Sequence, residues 1–93
     1  MIFTPHECET LIELLDDSYP EDFAFLKPEI AEDLLKSSLK KLENISPLTY
    51  FTKQELILIA AAVVEECKFF ALYGGDAELE LLRDKLLYLS EHM

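Results

Sequence analysis

The sequence is poor in glycine, cysteine, tryptophan and basic residues, and each shortage excludes a class of protein. It has no tryptophan and only two cysteines, and Cys8 and Cys67 form no CxxC pair. This spacing predicts no disulfide framework. Both residues suit small buried side chains in a reducing compartment, so we expect a cytoplasmic protein. The two glycines, Gly74 and Gly75, are adjacent and form no phosphate-binding GxGxxG loop.

Basic residues are outnumbered more than twofold by acidic ones. Eight lysines and arginines stand against nineteen aspartates and glutamates, which gives a formal net charge of −11. Residues 1–24 contain seven of the acids and none of the basic residues. A field of this sign repels phosphates and anionic lipids, so we expect neither direct nucleic-acid binding nor membrane association.

Long apolar segments are also missing. The longest uninterrupted run, Leu56 to Val64, has nine residues, whereas a helix that crosses a bilayer needs about 20. The first residues of the chain combine neither a basic stretch nor an apolar core, so no secretory signal is predicted.

The sequence is rich in helix-forming residues. Leu, Glu, Lys and Ala are abundant, and no stretch combines β-branched alternation with turn residues. We therefore predict an all-α fold, with a single helical domain over residues 1–93. The expected architecture is a small bundle of four main helices arranged as two helical hairpins, with a short extra helical turn in the first connector.

Two helix starts with the same Phe-Thr-x-x-Glu pattern support the two-hairpin plan. The segments Phe3-Thr4-Pro5-His6-Glu7 and Phe51-Thr52-Lys53-Gln54-Glu55 each place Thr at the N-cap and Glu three residues later, as in a capping box. The Phe before each Thr can pack as a hydrophobic staple. Leu-rich segments at 33–42 and 80–89 also resemble each other. Duplication is one interpretation; the other is that such patterns recur in unrelated helical proteins.

Capping signals and apolar periodicity predict the limits of each helix. The third helix is apolar around most of its circumference, so we expect it at the centre of the bundle. The fourth helix carries one apolar stripe, which comprises Leu79, Leu82, Leu86, Leu89 and Met93. A short helical turn, capped by Ser18 and Glu21, is expected in the first connector. The predicted segments are Pro5–Asp16, Pro20–Leu26, Pro28 to Asn44 or Ile45, Lys53–Tyr73 and Ala77 to about Glu91.

Metal-ligating residue types are present but lack the spacing of a metal site. The run His6-Glu7-Cys8 places its side chains in different directions around a helix. The acidic stretch from Asp16 does not match an EF-hand loop, because Glu21 and Lys27 occupy the positions that need Gly and Glu. No catalytic, cofactor-binding or metal-binding residue is therefore predicted.

Glu65 and Glu66 interrupt the apolar part of the third helix and are the remaining candidates for acid–base chemistry. A buried carboxylate pair would have a raised pKa and could be functional. The favoured interpretation is that one side chain faces solvent and the other meets a lysine such as Lys68.

The first connector is the candidate binding site, because aromatic rings stand among acids there. Charge would steer a basic partner and the rings would anchor it. The alternative is that the rings only dock the connector onto the bundle. The residues concerned are Asp16, Asp17, Tyr19, Glu21, Asp22, Phe23 and Phe25.

A second apolar line on the fourth helix is a candidate dimer interface. Leu81 and Tyr88 lie seven residues apart and away from the main stripe. Another helix of the same chain could cover this line, or a second copy of the protein could.

Three functions are compatible with the sequence. The first is a non-enzymatic, cytoplasmic protein–protein interaction or regulatory module, a possible homodimer, that needs no cofactor and binds another protein with a basic surface. The second is a phage-type inhibitor that imitates the charge of nucleic acid. The third is a carboxylate- or metal-dependent enzyme, which has the least support.

Overall fold

The protein is all-helical in a computed structural model that describes residues 3–92. Its four helices are α1 (Pro5–Asp16), α2 (Pro28–Glu43), α3 (Lys53–Ala71) and α4 (Ala77–Glu91). A single 3-10 turn, Pro20–Asp22, lies in the connector between α1 and α2. No strand occurs among these residues, which confirms the predicted fold class. Met93, predicted on the apolar stripe of α4, lies outside the described residues.

Both predicted capping boxes are formed. The Glu7 backbone N–H donates to Thr4 Oγ1 (3.1 Å), and the Thr4 N–H donates to Glu7 Oε1 (2.8 Å). The second start repeats this exchange between Thr52 and Glu55, at 3.2 and 2.8 Å. Each N-cap satisfies backbone donors that the first turn leaves free, which stabilises a helix by about 1 kcal/mol.

The turn between α3 and α4 also forms as its residues predict. Gly74 and Gly75 have φ angles of +99° and +85°, a region that side chains with a Cβ rarely adopt. The Gly75 N–H donates to the Phe70 carbonyl (2.8 Å), which ends α3. Asp76 Oδ1 then accepts from the backbone N–H groups of Glu78 and Leu79 and begins α4.

The predicted turn in the first connector is shorter than expected and is capped differently. It covers Pro20–Asp22 and not the range to Leu26. Asp22 Oδ2 accepts from the Tyr19 backbone N–H at 2.8 Å. Ser18 does not cap it, because its hydroxyl donates back to the Leu14 carbonyl at the end of α1 (2.9 Å). Such back-bonding competes with capping for the same hydroxyl.

Two helices also end earlier than their apolar patterns indicate. Helix α2 ends at Glu43, where the Asn44 side-chain amide donates to the Lys40 carbonyl (3.0 Å). Helix α3 ends at Ala71, two residues before Tyr73, because the chain already turns toward the glycine pair. Apolar periodicity continues through both ends and therefore gives no stop signal.

Helix α3 occupies the centre of the bundle, as its apolar circumference predicts. It packs against α1, α2 and α4, and α1 also packs against α2, so the hairpins α1–α2 and α3–α4 meet through α3. The largest fully buried apolar side chains are Phe3, Leu11, Leu15, Leu42, Phe51, Leu56, Leu58, Ile59, Val63 and Leu86. Both cysteines are buried and free.

The two staple phenylalanines meet each other in the core. The rings of Phe3 and Phe51 lie 5.5 Å apart between centroids, at an interplanar angle of 73°, and neither ring is exposed. This edge-to-face geometry is favourable for aromatic rings. The two similar helix starts therefore lie side by side.

Each helix start is completed by a lysine from the other half of the chain. Lys41 of α2 donates to Glu55 at the start of α3 (2.6 Å), and Lys85 of α4 donates to Glu7 at the start of α1 (2.8 Å). Each ammonium also lies over the neighbouring phenylalanine ring, at 5.7 and 5.4 Å from its centroid. Each hairpin therefore supplies one lysine to a helix start of the other hairpin, and we call this pair of contacts the lysine exchange.

Candidate functional site

The aromatic residues of the first connector divide between the core and the surface. Phe23 is only 3% exposed and anchors the connector to the bundle. Tyr19 and Phe25 are 68% and 58% exposed. The rings of Phe23 and Phe25 pack edge to face at 6.4 Å, so the buried ring positions the exposed one.

Next to Phe25 lies a groove of about 730 Å³, which we call the connector groove. Its floor is one side of α3, where Ile57, Ala61 and Val64 remain partly open to solvent. The connector forms one wall, and α4 forms the other. The groove is lined by Leu14, Asp17, Ser18, Asp22, Phe23, Ala24, Phe25, Ile57, Ala60, Ala61, Ala62, Val64, Glu65, Glu66, Leu87 and Ser90.

The rim of the connector groove is acidic. Asp17, Asp22, Glu65 and Glu66 contribute carboxylates, and within residues 3–92 no lysine or arginine lines the groove. Glu65 is exposed and pairs with Lys68 at 3.2 Å. Glu66 is half-buried, so the two glutamates do not form a buried pair. The groove therefore combines an apolar floor with a negative edge.

A second groove, of about 540 Å³, lies between α1 and α4, and we call it the α1–α4 groove. Its apolar floor includes Phe70, Leu79 and Leu82. It shares three lining residues, Leu14, Asp17 and Glu66, with the connector groove, so the two are continuous. The remaining lining residues are His6, Glu7, Thr10, Glu13, Asp76, Glu78 and Leu81.

Ion pairs cross the α1–α4 groove at one end. His6 Nε2 lies 3.0 Å from Glu78 Oε2, and this hydrogen bond raises the pKa of the exposed imidazole. Burial acts to raise the pKa of Glu7, but hydrogen bonds from Lys85 and from the Thr4 backbone outweigh it and lower the pKa. Glu7 is thereby held ionised as part of the helix start.

The second apolar line on α4 lies at the surface. Leu81 is 71% exposed and lines the α1–α4 groove. Tyr88 is 61% exposed and stacks on His92, with ring centroids 4.0 Å apart. No helix of residues 3–92 covers this line, which leaves it open to a partner.

The structure brings part of the predicted site together. Of the connector residues, Asp17, Asp22, Phe23 and Phe25 line the connector groove. The other three, Asp16, Tyr19 and Glu21, lie outside both grooves among the described residues.

The sequence prediction did not include the floor of the connector groove. Ile57, Ala61 and Val64 belong to the most apolar helix, whose pattern indicates burial on all sides. Three neighbouring helices cover only part of that circumference. One signal in the sequence could have identified the floor: α3 has more apolar surface than three neighbouring helices can cover.

The described part of the chain shows no metal cluster, since residues 3–92 contain no group of three or more His, Cys, Asp or Glu that could hold an ion. Burial raises the pKa of the Cys8 and Cys67 thiols, which disfavours the nucleophilic thiolate form. In the same range, no helix has the length and apolar character to cross a bilayer.

Comparison with known proteins yields no relative: no family model, no curated protein and no solved structure matches the chain. The grooves themselves are therefore the basis for a functional proposal.

Proposed function

We propose that the protein is a non-enzymatic, cytoplasmic interaction module that binds a basic, amphipathic helical segment of another protein in the connector groove. The observation that carries this proposal is the open apolar side of α3, flanked by exposed Phe25 and edged by carboxylates. A helix with one apolar face and a lysine- or arginine-rich opposite face complements both features.

The floor of the connector groove has the dimensions of a helix–helix contact. Ile57 to Val64 span about 10 Å at 1.5 Å per residue, which equals two helical turns. The small side chains of Ala60 and Ala61 allow the backbone of another helix to approach closely. An incoming helix would use apolar residues spaced i, i+3 or i+4, and i+7, with Phe25 as a ring at the edge of the contact.

The carboxylates around the floor select the sign of the partner. Asp17, Asp22 and Glu66 lie at its edge, so basic residues flanking an apolar face would be attracted and acidic ones repelled. Exposed charges of this kind accelerate association and are screened by salt. We therefore expect binding to weaken as ionic strength rises, without disappearing, because apolar contacts remain.

The proposal is tested with a synthetic amphipathic Leu/Lys helical peptide and the full-length protein, by fluorescence anisotropy at several salt concentrations. Ala61→Arg places a long cation on the groove floor and should weaken binding at least tenfold. Ala71→Arg is the matched control, because Ala71 is exposed on the same helix and lines neither groove. Equal binding by Ala61→Arg and Ala71→Arg would contradict the proposal.

A charge-mimicking inhibitor is a second candidate, supported by the acidic surface of α1 and the connector. Six exposed acids there form no ion pair within residues 3–92: Glu9, Glu13, Asp16, Asp17, Glu21 and Asp22. This function predicts capture of a nucleic-acid-binding protein with a steep salt dependence and no sensitivity to Ala61→Arg. The two candidates are therefore separable with one variant.

A further inference from the structure

The α1–α4 groove is not used by a helix confined to the connector groove, although the two are continuous. They meet at Leu14, Asp17 and Glu66. Beyond this junction the floor continues over Phe70 and Leu79 toward the glycine turn. A ligand that fills the connector groove therefore has an open path into the second one.

The charge of the α1–α4 groove differs from that of the connector groove. Its lining adds Glu13 and Glu78 to the shared Asp17 and Glu66, and Asp76 lies at its far end. Among the described residues, His6 is the one lining side chain that can become cationic. The density of carboxylates over an apolar floor matches arginine, whose charged group pairs with carboxylates while its stem packs on apolar side chains.

The junction is negative for a second reason. Helix α1 ends there at Asp16, with no basic residue in its last turn, so the negative end of its dipole lies next to Asp17. The N-terminal end of a helix carries the opposite partial charge. An incoming helix is therefore favoured in the direction that points its N-terminus at the junction, antiparallel to α3.

We propose, on the basis of the function proposed above, that the α1–α4 groove binds an arginine-rich segment directly N-terminal to the partner helix. The partner motif is then an arginine-rich extension followed by an amphipathic helix. The extension binds in the α1–α4 groove, and the helix binds in the connector groove. The extension occupies the space between α1 and α4 and competes with His6 for Glu78.

The test uses three synthetic peptides with the full-length protein: the Leu/Lys helix alone, the same helix with an arginine-rich extension at its N-terminus, and a version with the extension at its C-terminus. The last two have the same composition and net charge. We expect the N-terminal extension to tighten binding about tenfold and the C-terminal one about twofold, which isolates position from charge.

Two double variants test whether the N-terminal extension binds in the α1–α4 groove. Glu13→Gln/Glu78→Gln removes two carboxylates that line only the α1–α4 groove and cap no helix. We expect it to abolish most of the gain from the N-terminal extension and to leave the affinity for the helix alone within about twofold. Glu9→Gln/Glu43→Gln is the control, since it removes the same charge from exposed residues that line neither groove.

The outcomes separate this inference from the function on which it rests. If the helix alone binds but the two extensions act equally, or if both double variants reduce the gain equally, the second site is refuted and the connector groove is not. If the helix alone fails to bind, both proposals are overturned. Tight binding by the N-terminal extension, lost specifically in Glu13→Gln/Glu78→Gln, supports both.

Discussion

Replacing the two lysines that complete the helix starts should lower the free energy of unfolding by unequal amounts, although the two contacts are similar. Lys41→Met and Lys85→Met each keep the apolar stem over a phenylalanine ring and remove the ammonium. We expect Lys41→Met to destabilise the protein by about 2 kcal/mol. Lys85→Met should cost about 1 kcal/mol or less.

The difference follows from the burial of the two carboxylates. The side chain of Glu55 is 2% exposed, so removing the ammonium of Lys41 leaves a carboxylate with little access to water. Hydrogen bonds from the Thr52 N–H and the Ser37 hydroxyl (2.7 Å) remain and limit the loss. The side chain of Glu7 is 23% exposed, so water can replace Lys85.

The assay is equilibrium unfolding by denaturant, followed by far-ultraviolet circular dichroism. A loss of about 2 kcal/mol in a domain of this size lowers the melting temperature by roughly 10 °C. Lys36→Met is the control, because Lys36 and Glu32 form an exposed pair on one helix and such pairs contribute little. Equal losses for Lys41→Met and Lys85→Met, or a comparable loss for Lys36→Met, would refute the reasoning.

Three further properties follow from the same structure. Hydrogen bonds lower the pKa of Glu55 and Glu7 below the unfolded value despite burial, so the stabilisation from these carboxylates is complete above the unfolded pKa and is lost as pH falls through the folded pKa. Unfolding curves of the wild type and of Glu55→Gln across acidic pH measure this dependence, and identical pH profiles would contradict it. Ser38 Oγ is buried without a hydrogen-bond partner in residues 3–92, so Ser38→Ala should stabilise the fold by about 1 kcal/mol in denaturant unfolding, and a clear destabilisation would count against this. If exposed Leu81 and Tyr88 form an interface between two copies of the protein, Leu81→Asp with Tyr88→Asp should convert a dimer to a monomer without loss of helicity. Sedimentation measures the oligomeric state, and a monomeric wild type at high concentration would exclude the dimer.

Local signals made most of the secondary structure predictable from the sequence. Thr4 and Thr52 bond to groups three residues away, and Asp76 bonds to groups two and three residues away. Gly74 and Gly75 supply a backbone conformation that other residues avoid. Such interactions are complete within one helical turn, so the order of residues is sufficient to predict them.

Contacts between distant segments were not predictable in the same way. The edge-to-face contact of Phe3 with Phe51 depends on how the hairpins pack, which no local pattern specifies. The aligned Leu-rich segments do not reveal the lysine exchange either, because Lys41 and Lys85 occupy different positions in that alignment.

The candidate site was partly predictable because its walls and floor carry different signals. The connector combines acids with Phe25, which is exposed, and this composition indicates a binding segment. The floor consists of Ile57, Ala61 and Val64, which resemble core residues in every respect except their exposure. Exposure depends on the arrangement of all four helices, so only the structure identifies them.

The lysine exchange also implies an order of events during folding. Lys41 lies 14 residues from Glu55, whereas Lys85 lies 78 residues from Glu7. Closing the longer loop costs more chain entropy, so the start of α3 can be completed early and the start of α1 only after α4 has docked. Two helix starts with the same Phe-Thr-x-x-Glu pattern would therefore differ in their effect on the folding rate: Lys41→Met should slow folding, and Lys85→Met should mainly speed unfolding.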